Sequence, residues 1–374
     1  MFVSVYAIAK DEEAVAQRWY NCFKEADEVC VLDTGSSDKT VRILRKLGAR
    51  VRVKKYKEWR FDVARNDSMK LCSSKADLLF CADLDDVIES GWRQKLESLW
   101  KACKEKGLHP SAVQYTYSVK YLKDGKEWLQ KQYRHNIHTP YGWKWKFRVH
   151  EQLVSDNPMP TVVEITDWSM TSDCIVEKDH TSYLRLLELD VGEFPNDERI
   201  VHLLGREYMN REMFDDAIRV LKEHVRVTKG KFSRERSGSL KFLAECYRRL
   251  SNLDMMELNL WKAYGEDEED KDASFMLGKY LLENKFYREA YTVLKRCVSI
   301  EDKVRPTPSY CPEAWSAMPY FYLAESAYYV GDKDTSLKML DKGLEQDPNN
   351  GTALKFKEEV LRVLKGDLTK GHTI

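Results

Sequence analysis

The run Leu78-Leu79-Phe80-Cys81-Ala82-Asp83-Leu84-Asp85-Asp86 decides the fold. Five apolar residues in succession read as a strand buried on both faces, and such strands belong to parallel sheets. The chain leaves this strand straight into three acids. Carboxylates therefore gather at a strand's carboxyl end, where open α/β sheets bind their ligands. Two carboxylates one residue apart can aim at one point. Hard cations such as Mg²⁺ and Mn²⁺ take oxygen ligands and bridge to phosphate oxygens. An isolated Asp-x-Asp pair reads as a solvated turn or as a cap for a helix beginning near Ser90; the apolar run before it favours the ligand site.

Upstream, strand and helix alternate. Segments 2–9, 28–32, 50–53 and 76–82 are predicted strands, and 12–24, 40–47 and 62–72 predicted helices. Val15, Trp19, Cys22 and Phe23 give the first helix its spacing, Gly48 stops the second, and Asp62 is the expected N-cap of the third. This alternation predicts a mostly parallel sheet covered on both faces. Two further polar clusters sit in it. Asp33-Thr34-Gly35-Ser36-Ser37-Asp38 follows the second strand, where an Asp can accept from a base or ribose and a Gly lets backbone approach a ligand. It reads equally as a plain turn. Phe61-Asp62-Val63-Ala64-Arg65-Asn66 opens a helix and aims Arg65 at the same strand ends, where a guanidinium suits a diphosphate.

Composition narrows the class. The 374 residues are 43% hydrophobic and 33% charged, the balance of a core-forming protein rather than a disordered one. Lys+Arg and Asp+Glu both number 61, so no global basic excess argues for nucleic acid. No apolar run reaches the roughly 20 residues that span a bilayer. Nothing basic precedes the first apolar stretch, which reads as a strand and not a signal peptide, so a cytoplasmic protein is expected. The nine cysteines have no metal spacing and are expected to be reduced thiols.

From about residue 178 the strand signal gives way to a repeat. Gly205, Ala217 and Leu221 recur at the same offsets as Ala244, Met256 and Leu260, then Gly278, Ala290 and Leu294, then Ala324, Ser336 and Leu340. Small residues at fixed offsets let helices approach closely while large ones fill the space between. The pattern resembles the tetratricopeptide repeat, a helix–turn–helix unit of about 34 residues. An insertion at Arg305-Pro306-Thr307-Pro308-Ser309 reads as a loop, Gly351–Leu364 as a capping helix, and 367–374 as a frayed tail. The acidic run Glu266-Asp267-Glu268-Glu269-Asp270 reads as a solvated loop between repeats. The expected domains are 1–177 (α/β), 178–366 (helical repeats with cap) and the tail.

The three strand-end clusters, in this order and after the opening Ala7-Ile8-Ala9-Lys10-Asp11-Glu12-Glu13, resemble family 2 glycosyltransferases of the GT-A fold. The resemblance covers 2–90 well and 91–170 loosely. It implies a nucleotide-diphospho-sugar donor, usually a UDP-sugar, and a Mn²⁺ or Mg²⁺ ion. On that basis the Ala7 backbone and Asp33 hold uracil and ribose, Arg65 faces the base or diphosphate, Asp83 meets ribose or metal, and Asp85 ligates the metal. Three positions depart from the pattern: Asp11 for Asn, Lys39 for Gly, and Asp86 for Glu. Further on, Trp143-Lys144-Trp145-Lys146-Phe147-Arg148 alternates aromatic and basic residues, as a half-buried edge strand does. The His150-Glu151 pair after it resembles one found late in this branch of the family. His150 or Asp167 would complete the metal site, with His150 preferred. Glu151 would be the base that deprotonates the acceptor, with Asp86 in reserve.

The resemblance therefore implies a metal-dependent, inverting hexosyltransferase. The repeats, as a curved solenoid, imply a macromolecular acceptor, first a peptide or protein side chain. A saccharide or modified DNA is the alternative acceptor. A non-catalytic repeat protein with a relic first domain is the rival of another class, and intact Asp33, Arg65, Asp83 and Asp85 argue against it. A nucleotidyltransferase would want a basic, glycine-rich loop where this chain has Asp11-Glu12-Glu13.

Overall fold

The structure, a computed structural model, describes residues 1–123, 126–172, 181–231, 233–301 and 311–365. The boundary expected at 177/178, the insertion at 305–309 and the tail 367–374 lie outside them. The described residues fall into two compact units that divide after Asp190.

In the first unit, β1 (Val3–Ala9), β2 (Glu28–Asp33), β3 (Arg50–Val53) and β4 (Leu78–Cys81) pair in parallel in the order β3-β2-β1-β4. The connections are α1 (Ala16–Phe23), α2 (Thr40–Leu47) and α3 (Phe61–Met69). Gly48 takes φ 105° and closes α2, with its N–H donating to the Arg45 and Leu44 carbonyls. Two helix starts differ from expectation. Helix α1 begins at Ala16 and not at 12; a turn precedes it, in which the Val15 and Ala16 amides return to the Glu12 carbonyl while the Glu12 and Glu13 amides donate to Thr40 and Asp38. Asp62 lies inside α3 rather than capping it; its carboxylate takes the Arg60 guanidinium at 2.8 and 3.1 Å.

The sheet then turns mixed. After β5 (Asp86–Ile88) and α4 (Trp92–Glu105) come the long strands β6 (Ala112–Lys123) and β7 (Lys126–His138). Two short strands, β8 (Trp143–Lys146) and β9 (Gln152–Ser155), precede β10 (Val162–Ser172). The full order is β3-β2-β1-β4-β7-β6-β10-β5. Strand β7 is antiparallel to β4 and to β6, and β10 is parallel to β6. One face packs Trp19, Phe23, Phe80, Trp92, Tyr115 and Trp168; the other packs Tyr6, Leu79, Trp143 and Trp145. The expected alternation of 143–148 is real: Trp143 and Trp145 point inward while Lys144 is exposed, and β8 pairs with β9 apart from the main sheet. Helix α5 (Tyr183–Glu193) closes the unit.

The second unit is helical, with α6 (Glu198–Asn210), α7 (Phe214–Val227), α8 (Ser233–Arg249), α9 (Leu253–Glu266), α10 (Lys271–Glu283), α11 (Tyr287–Ser299), α12 (Met318–Tyr329), α13 (Lys333–Gln346) and the cap α14 (Gly351–Leu364). These pack as four hairpins of the tetratricopeptide type, each carrying one set of the repeat residues. The glycines mark closest approach. A Cβ on Gly205 would lie 2.5 Å from Leu221 Cδ2, and one on Gly278 2.6 Å from Leu294 Cδ2. The acidic run is not simply solvated, because arginine and lysine from neighbouring helices draw it in. Asp270 is buried against Lys241 Nζ at 2.7 Å and caps α10, and Glu266 pairs with Arg236 at 2.7 Å. The eight cysteines among the described residues are free thiols.

Candidate active site

The loops after β1 and β2 interlock. Ser36 Oγ accepts from the Asp11 amide and Asp11 Oδ1 accepts from the Ser37 amide, at 2.8 and 2.7 Å. Glu13 likewise donates its amide to Asp38 and accepts from the Lys39 amide. Asp33, fully buried at the end of β2, accepts from the amides of Gly35 and Ser36 at 3.0 and 2.9 Å and from the Ser36 hydroxyl. It thus shapes its own turn. Ala7 is buried within β1 beside Val31 of β2.

Arg65 is the hub. Though 8% exposed, it keeps its charge: Nε donates to Glu151 Oε1 at 2.5 Å, Nη2 meets Asp83 Oδ1 at 2.8 Å, and Nη1 donates to Cys81 Sγ at 3.2 Å. Burial opposes the charge, but Asp83, the Cys81 sulfur and Glu151 outweigh it and hold the guanidinium well above its usual range. Three distant segments are thereby joined at the carboxyl end of the parallel strands. The guanidinium also stands over the Trp145 ring, 5.0 Å from its centre.

Trp145 is itself fixed by a directed chain of hydrogen bonds. Its Nε1–H, a donor only, gives to the Tyr6 oxygen at 2.9 Å. The Tyr6 hydroxyl must then donate to His138 Nε2 at 2.9 Å, which puts the His138 proton on Nδ1, 2.8 Å from the Thr139 carbonyl. Burial pushes the His138 pKa down to about 4, so the ring is neutral.

Glu151 follows a strained loop in which Phe147 and His150 take φ of 78° and 51°. The loop is pinned from both sides. The Arg148 carbonyl accepts from the Phe61 amide at 2.9 Å, and the Arg148 amide and Nη1 both donate to buried Asp190 of α5 at 2.8 Å. His150 packs edge-on to Tyr183, ring centres 5.5 Å apart.

Asp83 and Asp85 are half-buried at the end of β4. Asp86 is not positioned to serve as a reserve base. It is 1% exposed, with one oxygen on the Asp83 amide at 2.8 Å and the other on the Tyr117 hydroxyl. Burial first, then the Asp83 charge, raises its pKa to about 7. It supports the Asp83–Asp85 loop from beneath. Among the described residues no three His, Cys, Asp or Glu side chains converge as a metal site, so His150 does not join Asp83 and Asp85 as a preformed trio. The Asp167 side chain lies outside what the structure describes.

Residues 4–154 match the family model described as Glycosyl transferase family 2. The N-terminal domain is a family 2 glycosyltransferase domain. No curated protein matches the chain. Solved structures similar to the chain include proteins described as TPR proteins. YrrB, a TPR protein with an unusual peptide-binding site, is 18% identical, with 47% of this chain and 81% of that chain covered and a TM-score of 0.34. TTC0263, a thermophilic TPR protein of Thermus thermophilus, is 20% identical, covering 48% and 88%, TM-score 0.31. MamA from Desulfovibrio magneticus RS-1 is 18% identical, covering 46% and 87%, TM-score 0.35. The repeat assignment therefore rests on the helix geometry above.

Within the glycosyltransferase domain the three departures have local reasons. Asp11 takes φ 54°, which Asp and Asn both tolerate, and Oδ1 accepts as an Asn oxygen would. Lys39 has φ −88°, so no glycine is required there. Asp86 is short enough to sit under the loop. Sequence reading missed Tyr6, Cys81, Trp145's hydrogen bond, Tyr117 and Asp190, because each acts through a partner far away in the chain. No helix among the described residues is long and apolar enough to cross a membrane.

Proposed function

We propose that the protein is a metal-dependent, inverting glycosyltransferase that moves a sugar from a UDP-sugar to a peptide or protein side chain. The observation that carries this reading is the convergence of Arg65, Asp83 and Glu151 on one point at the strand ends. The turn that Asp33 shapes and the Ala7 backbone receive the base and ribose, and Arg65 keeps its bond to Glu151 while turning from Asp83 to the incoming diphosphate. Asp85 and Asp83 suit a hard cation, because Mg²⁺ and Mn²⁺ commonly use one or two carboxylates and complete their shell with phosphate and water. Bound there, such an ion supplies charge neutralisation to the departing UDP. Glu151 has Oε1 on Arg65 and offers Oε2 to the acceptor proton. The helical hairpins present the acceptor, as stacked repeats present extended chains.

A thermal-shift panel of nucleotide sugars with and without Mn²⁺ tests the reading, since ligands of the folded state raise apparent stability. A UDP-sugar should stabilise the protein in a Mn²⁺-dependent way, and Asp85→Asn should remove that dependence while folding normally. Equal stabilisation in excess chelator would remove the metal from the reading; no response to any nucleotide sugar would overturn it.

A further inference from the structure

Lys55 follows β3, and the amide of its neighbour Lys54 donates to the Asp33 carbonyl at 2.9 Å. That pairing brings Lys55 alongside the Asp33 turn. Its stem lies across Gly35: a Cβ placed on that glycine would sit 3.1 Å from Lys55 Cγ and 3.2 Å from Cε. Gly35 also takes φ 117°, so the turn has two reasons to lack a side chain there. Lys54 pairs with Asp67, whereas Lys55 joins none of the ion pairs among the described residues. An exposed lysine is thus laid along the turn with its ammonium at liberty.

We propose that Lys55 reads the base of the donor nucleotide, selecting uracil over cytosine. The inference rests on the reading that Asp33 lies at the base end of the donor. In the order β3-β2-β1-β4, Lys55 stands on the side of Asp33 away from the Asp83–Asp85 loop, and so meets the base and not the diphosphate. An ammonium has three donors and no acceptor. Uracil presents a carbonyl O4, which accepts; cytosine presents an amino group at that position, which also donates. One base completes the lysine's hydrogen bond and the other sets donor against donor.

Isothermal titration of the full chain with UDP and with CDP, both in Mn²⁺, tests this. The wild type should favour UDP. Lys55→Met should weaken UDP about tenfold while changing CDP less than about threefold, the scale of one hydrogen bond to a charged donor. Lys55→Arg should keep the preference, and Lys57→Met, which removes an equal charge two residues away, should leave both affinities alone. Equal losses for the two nucleotides in Lys55→Met, or no loss in either, would overturn the assignment while the donor site stands. A wild type that binds neither nucleotide would overturn the donor site and this inference with it.

Discussion

At the scale of single residues, Glu151 and His138 illustrate two uses of burial. Glu151 is oriented by Arg65 and by the pinned loop before it; Glu151→Gln keeps its shape and an oxygen for Arg65 but loses its charge and the capacity to take a proton. Turnover is expected to fall about 10²–10⁴-fold with donor affinity little changed. If Glu151 instead only tuned a metal site, added Mn²⁺ would restore the rate; a low plateau across a Mn²⁺ titration is the expected outcome. His138 is neutral and locked by two hydrogen bonds. Its folded pKa of about 4 lies below the roughly 6.5 of an unfolded histidine, so the unfolded chain binds the extra proton between those values. Stability should therefore fall as pH drops from about 6.5 to 4, by up to about 3 kcal/mol from this group. Urea unfolding of the wild type and of His138→Gln should show the shallower pH slope in the variant. Neither the tautomer nor the partner was legible in the sequence, because Tyr6, His138 and Trp145 meet only when β1, β7 and β8 come together.

At the scale of elements, what could be read was what depends on near neighbours. Helix α2 and strand β3 follow the predicted bounds because a glycine stop and an alternating apolar run are local signals. The late start of α1 could not be read, since the turn before it is held by Asp38 and Thr40 from another stretch of the chain. Nor could the antiparallel insertion of β7 between β4 and β6, which depends on pairing across the chain. The repeats were legible because their close contacts recur at fixed offsets, and this makes them testable. Leu294 is fully buried and has little room to yield, so Gly278→Ala should cost about 1–3 kcal/mol through overpacking. In a Leu294→Ala background the same change should be nearly neutral. A double-mutant cycle by urea denaturation measures the difference.

At the scale of the whole molecule, the division after Asp190 assigns most of α5 to the glycosyltransferase unit, and Asp190 is what holds Arg148. A chain ending at 178 lacks that anchor, whereas one ending at 193 retains it. Both are expected to bind UDP alike, because the nucleotide-facing residues precede 90. Donor hydrolysis in the absence of acceptor should be slower in the shorter chain, and transfer to the natural acceptor should require the full chain. Equal hydrolysis by the two truncated chains would show that α5 does not support the Glu151 loop.

The reciprocal bonds between the loops after β1 and β2 also set how this end of the sheet opens. Each loop's amides are capped by the other's side chains, so neither can peel away without uncapping its neighbour. The amides of Asp11, Glu12, Glu13, Ser37 and Lys39 are consequently expected to open as one cooperative unit and to show a common opening free energy in hydrogen exchange, although they come from stretches some 25 residues apart.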